Sequence, residues 1–176
     1  CLSDWSSDVC SSDLQAITSN DAAAVARAAQ GAPLNQAGLS GATVVMLALR
    51  ELDKHPGDLE VLRALLKAGA DPKAARDDVP LSTAIAATRK SGMEPVKLLL
   101  DAGADPNQKG QYSGPAYFTA GGAGIHPDVM QLLLDHGAAL KLRGSDGNSA
   151  LHTAILTENW KVAQLLVEKG VDFTKD

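Results

Sequence analysis

The sequence predicts an all-α array of stacked helix pairs joined by protruding, hairpin-like loops. Five glycines, Gly31, Gly69, Gly103, Gly137 and Gly170, each close an apolar helical stretch and stand 38, 34, 34 and 33 residues apart. Between them recurs one unit, cleanest from Asp146 to Asp172: a turn at Asp146-Gly147, a helix start at Ser149, a short helix, a break, a helix rich in Leu and Val, and the stop at Gly170. One such unit cannot bury its own apolar face, so the spacing reads as an array whose neighbours cover one another. Two helical repeat classes have periods of ~33 and ~34 residues, and spacing alone does not choose between them.

Residues 1–14, CLSDWSSDVCSSDL, differ from the remainder of the chain. They hold both cysteines and have no helical or strand period. Read as codons, Asp4 to Leu14 resembles a translated sequencing adapter, so the segment is expected to be a non-native scar, disordered or irregular. Setting aside Asp4, Asp8 and Asp13 leaves 18 of the 21 acids against 16 bases, a net charge of −2 rather than −5. Such a balance gives no basic surface for nucleic acid. Without Cys1 and Cys10, disulfides and thiolate metal sites are excluded from the remainder. No apolar run approaches the ~20 residues that span a bilayer. A cytoplasmic location is expected, with a periplasmic or secreted one left open because the scar stands where a native start would be.

Residues 15–37 form a partial N-terminal repeat, in which Gln15 to Ser19 is a helix stub and Asn20 caps an alanine-rich helix over Asp21 to Gln30. Four units come after it, over 38–72, 73–106, 107–140 and 141–173. In the first, Thr43 starts an apolar helix, Lys54 to Gly57 breaks it, and Asp58 caps a second helix whose Val61, Leu62, Leu65 and Leu66 mark one buried face. In the next, Pro80 takes a first helical turn, where its missing amide costs nothing, and the second helix is EPVKLLLDAG. The following unit starts at Pro115, breaks at Gly121, Gly122 and Gly124, read as a flexible break, and continues as HPDVMQLLLDHG. The stop glycines suit the left-handed position after a helix.

The connections favour the class with a loop excursion. Ala70-Asp71-Pro72, Ala104-Asp105-Pro106-Asn107 and Gly144 to Gly147 turn the backbone sharply, and roughly eight residues separate each stop glycine from the next helix start. Asp146 to Ala154, DGNSALHTA, together with Val79 to Ala84, VPLSTA, and Leu98 to Asn107, LLLDAGADPN, resembles the helix-start and helix-end motifs of ankyrin repeats. The resemblance covers about Asn20 to Phe173 and implies an ankyrin-repeat solenoid. Thr43, Pro80, Leu81, Ser149, Leu151 and His152, with Gly69, Gly103, Gly137 and Gly170, match the family's structural positions. Ala150 and Val44 depart from its proline. Measured from helix start to stop glycine, the three earlier units are longer than the last, which predicts longer first helices or wider breaks.

No catalytic constellation is present. The chain lacks G-x-S-x-G, G-x-x-x-x-G-K-[ST] and G-x-G-x-x-G after a strand. His55, His126, His136 and His152 have no second ligand at metal-like spacing, and Asp77-Asp78 reads as a solvated loop tip. Neither enzyme activity, cofactor nor metal is expected.

Protein binding is left. Tyr112, Tyr117 and Phe118 are three of the five aromatics after the scar, and aromatic side chains anchor interfaces; packing is the better reading for Tyr117 and Phe118. The resemblance implies contacts at loop tips and along the concave helix surface. The matching positions are Arg76, Asp78, Gln111, Tyr112, Arg143, Ser145, Asp146 and Asn148, with Leu156 and Thr157 on the helix surface. The expected function is a non-catalytic, monomeric module that binds another protein. The alternative is a regulatory or targeting segment of a larger enzyme whose catalytic domain lies outside this sequence.

Overall fold

A computed structural model describes residues 11–37, 42–52, 54–74, 78–110, 114–141, 143–144 and 147–171. Ten helices occupy the described residues, with no strand among them: α1 (Ser11–Thr18), α2 (Ala22–Ala28), α3 (Val44–Glu51), α4 (Glu60–Lys67), α5 (Pro80–Ser91), α6 (Glu94–Asp101), α7 (Ala116–Gly121), α8 (Pro127–Asp135), α9 (Ala150–Leu156) and α10 (Trp160–Glu168). The first helices of successive pairs pack in one layer, α1 on α3, α3 on α5, α5 on α7 and α7 on α9. In the second layer α2 meets α4 and α8 meets α10. A single apolar cluster runs between the layers from Ala16 to Leu166.

Each second helix ends in the same way. Leu65, Leu99, Leu133 and Leu166, four residues before a stop glycine, are at most 1% exposed. Gly69, Gly103, Gly137 and Gly170 have φ of 95°, 92°, 87° and 81°. At Gly103 the amide donates to the Leu100 carbonyl at 2.9 Å and the Ala104 amide to the Leu99 carbonyl at 2.9 Å. This pair of bonds satisfies carbonyls that the helix end would otherwise leave unpaired.

The helix starts differ in detail from expectation. Thr43 and Ser149 cap α3 and α9 by accepting the Met46 and His152 amides at 3.4 and 3.3 Å. Pro80 sits at the start of α5. At α2 the cap is Asp21, which accepts from the Ala24 amide at 2.9 Å, while Asn20 takes a left-handed turn with φ 55°. Two adjacent polar residues can both cap, and the backbone chooses one. Asp58 lies one residue before the α4 cap position but still accepts the Glu60 amide at 3.3 Å. Helix α1 takes in Ser11 to Leu14, so the segment expected to be irregular is helical over its last four residues.

The extra length of the longer units takes both forms. Helix α5 has 12 residues against 7 in α9, whereas the break between the end of α3 at Glu51 and the start of α4 at Glu60 is wide. The connections span residues 32–43, 70–79, 104–115 and 138–149, longer than the roughly eight residues expected.

Tyr117 is 1% exposed, and its hydroxyl has no hydrogen-bond partner among the described residues. Its ring lies 5.2 Å from that of Phe118, tilted by 45°. Burial pushes the Tyr117 hydroxyl from 10.0 up to about 12, because the charged phenolate is disfavoured away from water.

These local energies can be measured by substitution. No atom lies within 4 Å of a side chain added at Gly103, so Gly103→Ala meets only the left-handed backbone penalty. It is expected to destabilise the array by about 1–2 kcal/mol in urea unfolding. Tyr117→Phe removes an unpaired buried hydroxyl and is expected to stabilise by about 1 kcal/mol. Between pH 10 and about 12 the unfolded chain ionises this tyrosine while the folded chain keeps it neutral, so wild-type stability falls as pH rises through that window. The Phe variant should lose this part of the alkaline dependence.

Candidate partner-binding surface

The connections between pairs are tied to one another across units. Asp71 and Asp105 each fold the chain by accepting an amide two residues on, from Lys73 and Asn107, both at 2.8 Å. The side chain of Asn107 then reaches into the next connection: its Nδ2 donates to the Gly137 carbonyl at 2.9 Å and its Oδ1 accepts the Ala139 amide at 2.7 Å. Asn35 does the equivalent at an earlier boundary, accepting the Asp71 amide at 2.7 Å. Where Lys73 replaces asparagine, Gln108 Nε2 donates back to the Lys73 carbonyl at 2.7 Å. Each of these bonds spans 30 to 36 residues of sequence.

The last two connections also touch through their backbones. A β-carbon added to Gly114 would lie 3.2 Å from Gly144 Cα. Gly144 opens a closed turn in which its amide donates to the Asn148 carbonyl at 3.0 Å and the Gly147 amide donates to the Gly144 carbonyl at 3.1 Å. Arg143 Nη1 braces that turn by donating to the Gly147 carbonyl at 2.9 Å.

The residues singled out in the sequence divide three ways. Asp78 and Arg143 are exposed on this row of connections, and Asn148 is half-buried within it. Arg76, Gln111, Tyr112, Ser145 and Asp146 lie outside the described residues. Leu156 and Thr157 stand at the far end of α9 from the turn. Leu156 is exposed, whereas the Thr157 hydroxyl donates within the stack, 2.9 Å from the Gly121 carbonyl and 2.8 Å from the Thr153 carbonyl.

Three of the four histidines serve helix ends. Ser149 Oγ lies 2.8 Å from His152 Nδ1, closing the start of α9, beside buried Leu151. His126 Nδ1 accepts the Asp128 amide at 3.3 Å at the start of α8. His136 lies at the end of α8, with Nδ1 2.9 Å from the Leu132 carbonyl. Among the described residues no group of three or more His, Cys, Asp or Glu is arranged to hold a metal. No described helix is long and apolar enough to cross a membrane.

Some contributors to this framework are invisible to motif reading. Asn159 Nδ2 donates to the Gly122 and Ile125 carbonyls at 2.9 and 3.0 Å, and Arg89 donates to the Ala123 carbonyl. The glycine-rich break is therefore a fastened junction rather than a flexible one. Gly121 is the last residue of α7, is buried, and a β-carbon there would lie 3.1 Å from the Ala150 carbonyl oxygen. Asn35 and Asn107 do carry a signal: both stand four residues after a stop glycine.

Comparison with known proteins agrees with this architecture. A family model described as ankyrin repeats in three copies matches residues 83–176, and a model of the single ankyrin repeat matches residues 40–78. The chain is also similar to protein PhlB of Serratia liquefaciens, with 48% identity over 44 residues. That stretch is 25% of this chain and 19% of PhlB. Helix pairs stacked in two layers, matched by those models over more than half its length, place the chain in the ankyrin-repeat family, as a protein–protein interaction module.

Proposed function

We propose that the units 38–72, 73–106, 107–140 and 141–173 act as a rigid, non-catalytic platform that captures a partner protein along the row of connections and the adjoining concave helix face. The observation that carries this reading is the tying of one connection to the next by Asn35, Asn107 and Gln108. Groups already held in place lose little conformational entropy when a partner docks, so more of the contact energy appears as affinity. Each bond joins backbone to side chain between successive connections, which fixes the spacing between neighbouring tips as well as the fold of each.

The contact set under this reading is Arg76, Asp78, Gln111, Tyr112, Arg143, Ser145, Asp146 and Asn148. Tyr112 is the candidate anchor, since an aromatic side chain buries much area with few rotatable bonds. Leu156 extends the set toward the end of the helix face. Thr157 contributes its methyl group and holds α9 against α7. A standard interface of ~800 Å² per side needs three or four adjacent tips, which these residues supply.

Photo-crosslinking tests the proposal directly. A benzophenone amino acid is placed at Tyr112 or Asn148, and as a control at Lys97, exposed on α6 in the other helix layer. In extract of the source cell the tip positions are expected to crosslink one common protein, and Lys97 is not. Tyr112→Ala combined with Asp146→Ala is expected to weaken capture of that protein at least about tenfold, the scale of an interface anchor, with an unchanged unfolding curve. Crosslinking from Lys97 alone would move the binding face to the outer layer.

A further inference from the structure

We propose that the partner protein docks through an acidic segment, laid across the first-helix layer from Arg50, Arg89 and Lys90 at one margin to Lys73, Lys109 and Lys141 on the row of connections at the other. The inference rests on the reading of that face as the binding surface, and adds the chemistry of what binds there.

Charge is sorted between the two layers, although the chain as a whole is acidic, with a net charge of −5. Helices α3, α5, α7 and α9 carry three bases, Arg50, Arg89 and Lys90, and one acid, Glu51. That acid is withdrawn: its side chain is 12% exposed, and Lys54 Nζ lies 2.9 Å from its Oε1. Helices α4, α6, α8 and α10 carry four bases against six acids. Cations are favoured at helix C-termini, where Arg50, Arg89 and Lys90 stand. Yet α6 and α8 end on Asp101 and Asp135, so helix ends alone do not account for the difference between layers.

The cations flank an uncharged floor. Four residues after each first-helix cap, Leu47, Thr83, Thr119 and Thr153 are half-buried and carry no charge. At the end of this floor away from the connections, Arg50, Arg89 and Lys90 are exposed. Arg89 is held in place by donating to the Ala123 carbonyl, and a guanidinium has five N–H donors in all, so others remain for a carboxylate. On the connections, Lys73, Lys109 and Lys141 are exposed, one to each of three successive loops, and their ammonium groups make no ion pair among the described residues. Asp71 and Asp105, on the same loops, turn a carboxylate oxygen onto their own backbone, accepting the Lys73 and Asn107 amides at 2.8 Å. The pattern is also interrupted: Asp78 is exposed on the row, and Glu158 just beyond α9. A nucleic acid strand carries a phosphate at every nucleotide and would meet these acids, whereas spaced carboxylates of a protein segment avoid them.

Titration of the isotopically labelled full chain with a peptide of alternating glutamate and alanine tests the proposal, with amide correlation spectra recorded at about 20 mM salt, where exposed charges are little screened. Saturable shifts are expected on α3, α5 and the three lysine-bearing connections and not on α6 or α8, and affinity should fall at least about threefold at ~150 mM salt. Lys109→Glu with Lys141→Glu should weaken the peptide at least about fivefold, the scale of several surface ion pairs, with an unchanged circular dichroism spectrum. Lys97→Glu, on α6 in the other layer, should not. No saturable binding, or shifts confined to α6 and α8, overturns the proposal, and so does an oligothymidine of equal charge that binds more tightly than the peptide. Crosslinking in extract separates this inference from the reading beneath it. Crosslinks from Tyr112 and Asn148 that persist undiminished in the double lysine variant leave the binding face standing and overturn the acidic segment; crosslinks formed from Lys97 alone overturn the binding face itself.

Discussion

Leu65, Leu99, Leu133 and Leu166 are almost wholly enclosed, yet none belongs to a helix pair able to enclose it alone. Their burial depends on pairs stacking, and everything else in the molecule stems from that constraint. The glycines must end each second helix at the same depth, so that the chain can turn out and return to start the next pair in register. The connections must then span from one pair to the next, and their length makes a projecting row. The row that the proposed function uses is thus a by-product of how the apolar face is covered.

Polar bonding refines what apolar burial sets up. Buried leucines fix the distance between pairs but leave their relative sliding soft, since dispersion contacts are non-directional. Hydrogen bonds from Asn107 to the Gly137 carbonyl and the Ala139 amide have direction, as do those from Thr157 and Asn159 to the α7 junction. Together they hold both margins of the stack. The inner margin carries the proposed recognition row, and the outer one the close approach of Gly121 to α9.

Legibility from sequence tracks the range of the interaction. The stop glycines and the paired leucines of each second helix are readable because their reasons are local: a left-handed φ and a helical period. The cap at Thr43 is readable for the same reason. The shift from Asn20 to Asp21 is not, because two adjacent residues could satisfy the same amides. The asparagine latches join residues 30 or more apart, and no local pattern announces a partner at that range. Gly121 reads as a loosened break since glycine has two uses, freedom and close approach, and only the position of Ala150 separates them. Trp160 is visible as an apolar residue near the end, but whether a neighbour covers it depends on stacking. Much of the proposed site, from Arg76 through Tyr112 to Asp146, rests on sequence and resemblance.

Neighbouring connections, on this account, are held together as one framework rather than as independent loops. Native-state hydrogen exchange at the Ala139 amide, the proton received by Asn107 Oδ1, addresses that claim most directly. A framework predicts slowing by more than about 100-fold relative to an unstructured chain, lost selectively in Asn107→Ala, because opening that amide requires breaking a bond between neighbouring connections. Exchange at the rate of a free loop, unchanged by the substitution, would contradict the account.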